Sequence, residues 1–192
     1  MTDPLFKLFT SPARVKLLRL FLFNPRQSFV LSDITSRARV TSAEARRELR
    51  LFESIGLVVH NTRSKKVRYS AAVSFPYTEG LKALLLNAPK REEEIIRLLR
   101  GLGSMKLIIL SGIFLDEWDG VVDVLIVGDR VKERALREHL KRLEADIGKE
   151  LRFAVLPTED FLYRLNMSDK LLRDVLDYPH RIVLDRLNIG IK

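Results

Sequence analysis

Apolar positions open the chain at helical spacing and then change period. Val15, Leu18 and Leu22 recur at i, i+3 and i+7, and Leu17 and Phe21 widen the stripe, which predicts a helix. Ser11-Pro12 offers its start, a hydroxyl cap followed by proline, and Asn24-Pro25 its stop. A short extended piece is expected at Phe29-Val30, followed by a short helix capped by Ser32 with Ile34 and Ala38 facing inward. Arg39-Val40-Thr41 reads as a tight turn. Ser42, or Thr41 before it, caps a third helix on which Ala45, Leu49 and Phe52 share a face, and Gly56 supplies the exit. Residues 57–60 and 67–70 read as two strands across a polar, basic turn at 61–66.

Helix, short helix, turn, helix and hairpin, in this order, is the plan of a winged helix-turn-helix. An apolar segment at 81–86 follows, readable as a linker helix or a dimerisation surface, and Pro89 marks a boundary. Beyond it the pattern alternates. A helix at 91–100 precedes strands at 106–110 and 121–127, with a loop at 111–120 between them. A long amphipathic helix at 131–147 and a strand at 151–156 come next. A helix opened by Pro157-Thr158, another near 169–176 and a last strand at 182–184 complete the chain. Strands alternating with helices predict an α/β second domain with a mixed sheet. The expectation is therefore an α+β winged helix-turn-helix over 1–88 and an α/β domain over 89–192.

Charge sharpens that division. The chain carries 34 Lys and Arg against 25 Asp and Glu, a formal net +9. Residues 1–88 hold 15 basic against six acidic side chains, and residues 89–192 hold 19 of each, so the whole excess lies on the first module. Such a concentration is the electrostatic footprint of a protein that meets a polyanion.

Its placement favours duplex DNA. Projected at helical spacing, Ala43, Arg47, Arg50 and Ser54 lie opposite the apolar face of the third helix, with Arg46 on the flank. Small residues at the helix start, Thr41 and Ser42, permit close approach to a major groove, and guanidinium forks suit guanine edges or phosphates. Arg63, Lys65, Lys66 and Arg68 put four cations on the hairpin. Arg14, Lys16 and Arg19 on the first helix are either further phosphate contacts or solubilising charges.

The stretches SPARVKLLRLFLFNP, SDITSRARVTSAEARRELRLFESIGLV and VVHNTRSKKVRYS resemble winged-helix transcription regulators of the ArsR/MarR-like type, over roughly residues 10–75. The resemblance implies a homodimer on pseudo-palindromic DNA. ArsR-type metal sensing needs Cys or His clusters; this chain has no Cys and three scattered His residues.

The segment KLIILSGIFLDEWDGVVDVLIVGD resembles the core of minimal nucleotidyltransferase domains of the polymerase-β type, and PTEDFLYRL resembles the tail of those found fused to winged helices. The resemblance spans about residues 90–185. Its pattern is an apolar strand, a Gly-Ser turn and a strand bearing Asp-apolar-Asp, with a further acid on a neighbouring strand; together the acids hold two Mg²⁺ ions. Here the turn reads Ser111-Gly112, reversed. The acid pair reads Val121-Val122-Asp123, and residues 151–156 contain no carboxylate. Asp116, Glu117 and Asp119 in the loop are substitutes only if a loop can position ligands as a strand does. The expectation is a degenerate, non-catalytic domain with no cofactor, in which Ser111, Gly112 and Asp123 are a vestigial site and Asp123 meets a backbone amide or a nearby cation. Trp118 is a candidate surface contact or loop anchor.

The chain start lacks the basic and apolar segments of a signal peptide, and the apolar runs are too short to cross a bilayer. A cytoplasmic transcription regulator is thus expected, acting on double-stranded DNA as a homodimer, with a possible protein partner on the second domain. Competing expectations are an active nucleotidyltransferase carrying a nucleic-acid-binding module, and an antitoxin-like protein that neutralises a partner.

Overall fold

The structure, a computed structural model, describes residues 3–62, 66–86, 92–115, 117–118 and 120–190, without the side chains of 92–94. The fold is α+β. Two compact units divide the chain: residues 1–89 with 141–150, and residues 90–140 with 151–192.

In the first unit, α1 (Pro4–Leu8) is a single short helix that apolar periodicity does not announce, although Asp3-Pro4 marks its start, with the Asp3 carboxylate accepting from the Leu5 amide. Helix α2 (Pro12–Leu22) begins at Ser11, whose Oγ accepts the Arg14 amide at 3.1 Å. Strand β1 (Ser28–Val30) runs directly into α3 (Leu31–Ala38). Ser32 is not the cap. The helix begins one residue before it, and Val30 in the cap position offers no side-chain bond. Arg39 turns the chain through the left-handed region at φ 51°, and α4 (Ser42–Ser54) follows. Strands β2 (Val58–Asn61) and β3 (Arg68–Ala71) pair antiparallel, with Val58 opposite Ala71 and Asn61 opposite Arg68. Strand β1 joins on the other side of β3, giving the order β1-β3-β2.

Phe21 organises this core. Its ring meets Phe29 and Phe52 edge-on, with centroids 5.9 and 6.5 Å apart. Ile34, Ala38, Ala45 and Leu49 of the same unit are also buried. Helix α5 (Thr78–Leu86) follows the sheet and buries Leu85, so the apolar segment at 81–86 serves this core as well as presenting Leu84 outward.

Residues 141–150 also belong to this unit, and polar bonds seat them on α2. The Arg19 guanidinium, 1% exposed, donates to the Asp146 carbonyl at 2.9 Å and to the Asp3 carboxylate at 2.7 Å. The Asn24 amide donates to the Gly148 carbonyl at 2.8 Å. Gly148 has φ +83°, and a Cβ there would stand 2.5 Å from that of Arg19, so only glycine fits.

The second unit begins with α6 (Glu92–Leu99) and β4 (Ser104–Leu110), then a 3-10 turn at Gly112–Leu115. Strand β5 (Val124–Asp129), helix α7 (Glu133–Ile147), which ends among the residues of the first unit, and β6 (Phe153–Leu156) follow. Helices α8 (Thr158–Asn166) and α9 (Lys170–Leu176) lead into β7 (Arg181–Asp185). The four strands form a mixed sheet in the order β6-β5-β4-β7, parallel only between β5 and β6. Nearly all of β4 and β5 is buried, as strands covered on both faces must be. Leu107, Ile109, Leu125 and Val127 pack with Phe161, Leu172 and Val175 of α8 and α9. Asp129 at the end of β5 accepts from the Thr158 amide at 3.0 Å and hydroxyl at 2.8 Å, which fixes the start of α8 and lowers the Asp129 pKa. Among the described residues no helix is long and apolar enough to cross a membrane.

Candidate nucleic-acid interface

Helix α4 is held at its start by a reciprocal capping box. The Glu44 amide donates to Thr41 Oγ1 at 3.2 Å, and the Thr41 amide returns a bond to the Glu44 carboxylate at 2.8 Å. The Thr41 hydroxyl also donates to that carboxylate at 2.7 Å, and these bonds lower the Glu44 pKa. Thr41 therefore secures the helix with its side chain, and Ser42, exposed at the first helical position, is the small polar group left for a ligand.

Arg46, Arg47 and Arg50 are all exposed on α4, Arg47 and Arg50 opposite the buried Ala45, Leu49 and Phe52 and Arg46 on the flank. The residue that sequence reasoning missed lies between them. Glu48 has the spacing of a flanking surface acid, yet it is completely buried. Its carboxylate accepts from Arg14 Nε at 2.7 Å, Ser11 Oγ at 3.2 Å, and Arg47 Nε and Nη2 at 3.2 and 3.0 Å. Burial alone raises the Glu48 pKa, but the bonds from Arg14 and Arg47, the Arg14 charge and the Ser11 hydroxyl outweigh it and leave it lowered. Glu48 thus ties α4 to the start of α2 and engages the Nε–Nη2 edge of the Arg47 guanidinium, although that side chain remains 61% exposed.

Helix α2 contributes fewer free cations than its sequence suggests. Arg14 pairs with Glu48, Lys16 with Asp146 at 3.0 Å, and Arg19 is enclosed. These three charges serve internal pairing, which corrects both the phosphate and the solubility reading. On the hairpin, Lys66 is exposed, and Arg63 and Lys65 lie outside the described residues. Arg68 is a strand residue of β3. Its Nε donates to Ser28 Oγ at 2.9 Å and its Nη2 to the Ser28 carbonyl, stitching β3 to β1, so its exposed guanidinium is already engaged by the sheet.

In the second unit, Ser111, Gly112 and Asp123 do come together, around an enclosed acid. Asp123 Oδ1 accepts from the Ile113 amide at 3.0 Å and Arg152 Nη2 at 2.9 Å. Its Oδ2 accepts from the Arg152 amide at 2.8 Å and Arg152 Nε at 3.0 Å. Asp123 is fully buried, and a guanidinium lies across its carboxylate. Ser111 Oγ donates to the Val122 carbonyl at 2.6 Å. Gly112 has φ +54°, and a Cβ on it would fall 2.2 Å from Asp123 Oδ1. The Ser-Gly turn is therefore closed onto the acid, where the nucleotidyltransferase pattern has it open to phosphates. Trp118 is half-buried, its carbonyl accepting from Arg152 Nη2 at 3.2 Å. Glu117 is exposed, and Asp116 and Asp119 lie outside the described residues. Among the described residues no group of three or more His, Cys, Asp and Glu is arranged to hold a metal ion. No protein-family model, curated protein or solved structure matches this chain.

Proposed function

We propose that the first unit is a winged helix-turn-helix that binds double-stranded DNA, and that the protein is a cytoplasmic, homodimeric transcription regulator. In this reading α3 and α4 form the helix-turn-helix, α4 enters the major groove, and β2, β3 and the turn between them form the wing. The observation that carries the reading is the exposure of Arg46, Arg47 and Arg50 on a helix capped at Thr41, with the Arg47 guanidinium oriented by its bonds to Glu48. A helix fixed at its start presents guanidinium forks in a defined register, as base-edge recognition requires. Ser42 marks the end nearest the bases, and Lys66 lies at the wing.

The second unit acts as a non-catalytic relative of the nucleotidyltransferases in this reading. Support comes from Asp123, whose oxygens are all engaged by amides and by Arg152. A carboxylate so engaged has no lone pair directed at a divalent cation, and Mg²⁺ needs carboxylates to offset its dehydration. Titration of the full chain with Mg²⁺-ATP should yield no saturable heat; a micromolar site would overturn this half of the reading.

Selection of bound duplexes from a random DNA pool, with a random RNA pool beside it, tests the main half. The expected outcome is a DNA motif with two related half-sites about one helical turn apart. Enrichment from the RNA pool alone, or from neither, removes the DNA reading.

A further inference from the structure

A cavity of about 170 Å³ lies in the second unit beside the end of α6, bounded by β4 and the exit of β7. Its floor is apolar. Leu99, Met105 and Ile108 are buried, and Leu184 adds a half-buried wall. Its remaining polar side chains are both guanidinium groups, Arg100 and Arg186, which are exposed, and no carboxylate lines it among the described residues.

The backbone keeps this space open. Gly101, which lines it, takes φ +81°, a left-handed conformation that favours glycine at this turn. Two residues on, the loop is anchored from behind. A Cβ at Gly103 would stand 3.0 Å from the carbonyls of Asp129 and Arg130, and the Lys132 amide donates to the Leu102 carbonyl at 2.7 Å. Arg186 is held at the opposite lip by its own amide, which donates to the Lys106 carbonyl at 2.8 Å.

We infer that this cavity is a binding site for a small organic carboxylate with a compact apolar body, such as an aromatic acid with one ring. Size and charge together select that class. The space, about 170 Å³ and open on one side, is of the size of a single ring and is too small to enclose a nucleotide or a peptide. The floor offers no hydrogen-bonding side chain, which disfavours sugars and other polar bodies. Two guanidinium groups without a lining carboxylate favour an anionic head, and the planar fork of arginine matches a carboxylate. Met105 is suited to an aromatic edge, because its thioether is polarisable and adaptable. The site is independent of the DNA-binding reading, since every lining residue lies in the second unit.

The test is titration of the full-length, methyl-labelled protein, followed by NMR, with benzoate, its neutral isostere benzamide, and inorganic phosphate. Benzoate should produce saturable shifts at the Leu99, Met105, Ile108 and Leu184 methyls. Benzamide should bind about tenfold more weakly, because it lacks the charge that the arginines answer. Phosphate should leave those methyls unmoved. The double variant Arg100→Gln/Arg186→Gln should weaken benzoate binding by about tenfold with little change in Tm, since both side chains are exposed and the one bond that is lost, from Arg186 Nη1 to the Met105 carbonyl, is long at 3.5 Å. Ile96→Trp, which adds bulk to the lining, should abolish binding through the cavity alone. Saturation absent at these methyls, shifts centred elsewhere, or equal responses to benzoate, benzamide and phosphate each overturn the assignment.

Discussion

Glu48 in the first unit and Asp123 in the second are both wholly enclosed carboxylates answered by arginine, yet the two pairs do opposite work. Glu48 in the first unit is met only by side chains, from Ser11, Arg14 and Arg47. That arrangement neutralises the acid while leaving the outer face of α4 cationic. Asp123 in the second unit is met by two backbone amides as well as by Arg152, and so fastens the 3-10 turn to the approach of β6. One acid braces a displayed surface; the other closes a loop. The charge balance follows the same line, with the entire excess on residues 1–88.

The sharpest way to break this contrast is to attack the closed loop. Gly112→Ala forces a Cβ to 2.2 Å from Asp123 Oδ1 at a positive φ, so the second unit should lose more than about 3 kcal/mol. Urea unfolding followed by Trp118, the only tryptophan, reads this directly. Asp123→Asn should cost about 3 kcal/mol in the same measurement, because it removes the charge from a buried pair and leaves amides poorly matched. A stable Asp123→Asn protein would mean that the carboxylate is not the fastener.

On the first unit the effect should be smaller. Glu48→Gln should cost about 2 kcal/mol, discounted because Arg14 and Arg47 are part-exposed and can turn to water. Amide exchange along α4 reports it. The cost should also depend on pH. Because the folded Glu48 pKa is held below the usual 4.5, the unfolded chain takes up the proton first as the solution is acidified. The contribution is therefore complete above pH 4.5 and lost as pH falls through the depressed folded value. Wild type and Glu48→Gln should converge in acid; a constant gap would deny the charge its role.

The weakest effects concern recognition and presuppose the proposed DNA binding. Replacing Arg47 and Arg50 together with Ala should reduce affinity for the selected site about tenfold more than for random duplex, as expected of base-edge contacts. Equal losses on both would make them phosphate contacts. Lys66→Ala should lower the salt slope of binding by about one unit and little else.

Much of the local chemistry is legible in the sequence, although Ser32 does not cap α3 as expected. The Ser11 and Thr41 caps, the exit at Gly56, and the buried faces through Phe21 and Phe52 follow from residue order, because caps and amphipathic stripes involve neighbours within a turn or two. Helix α1 was missed because five residues are too few to show a period. The pairing of Asp123 with a cation or amide was open to reading, but its partner Arg152, 29 residues away, was not.

The amino-acid order by itself determined most of the elements, their sequence and the placement of positive charge, since propensity, capping and composition act along the chain. Tertiary structure alone decided which charges are spent inside. It buried Glu48 and Arg19, engaged Arg68 with Ser28, and drew residues 141–150 onto α2. Periodicity records which face of an element is wet only when solvent is the sole partner; an acid or arginine that finds its counter-charge across the fold reads, in sequence, like any surface residue.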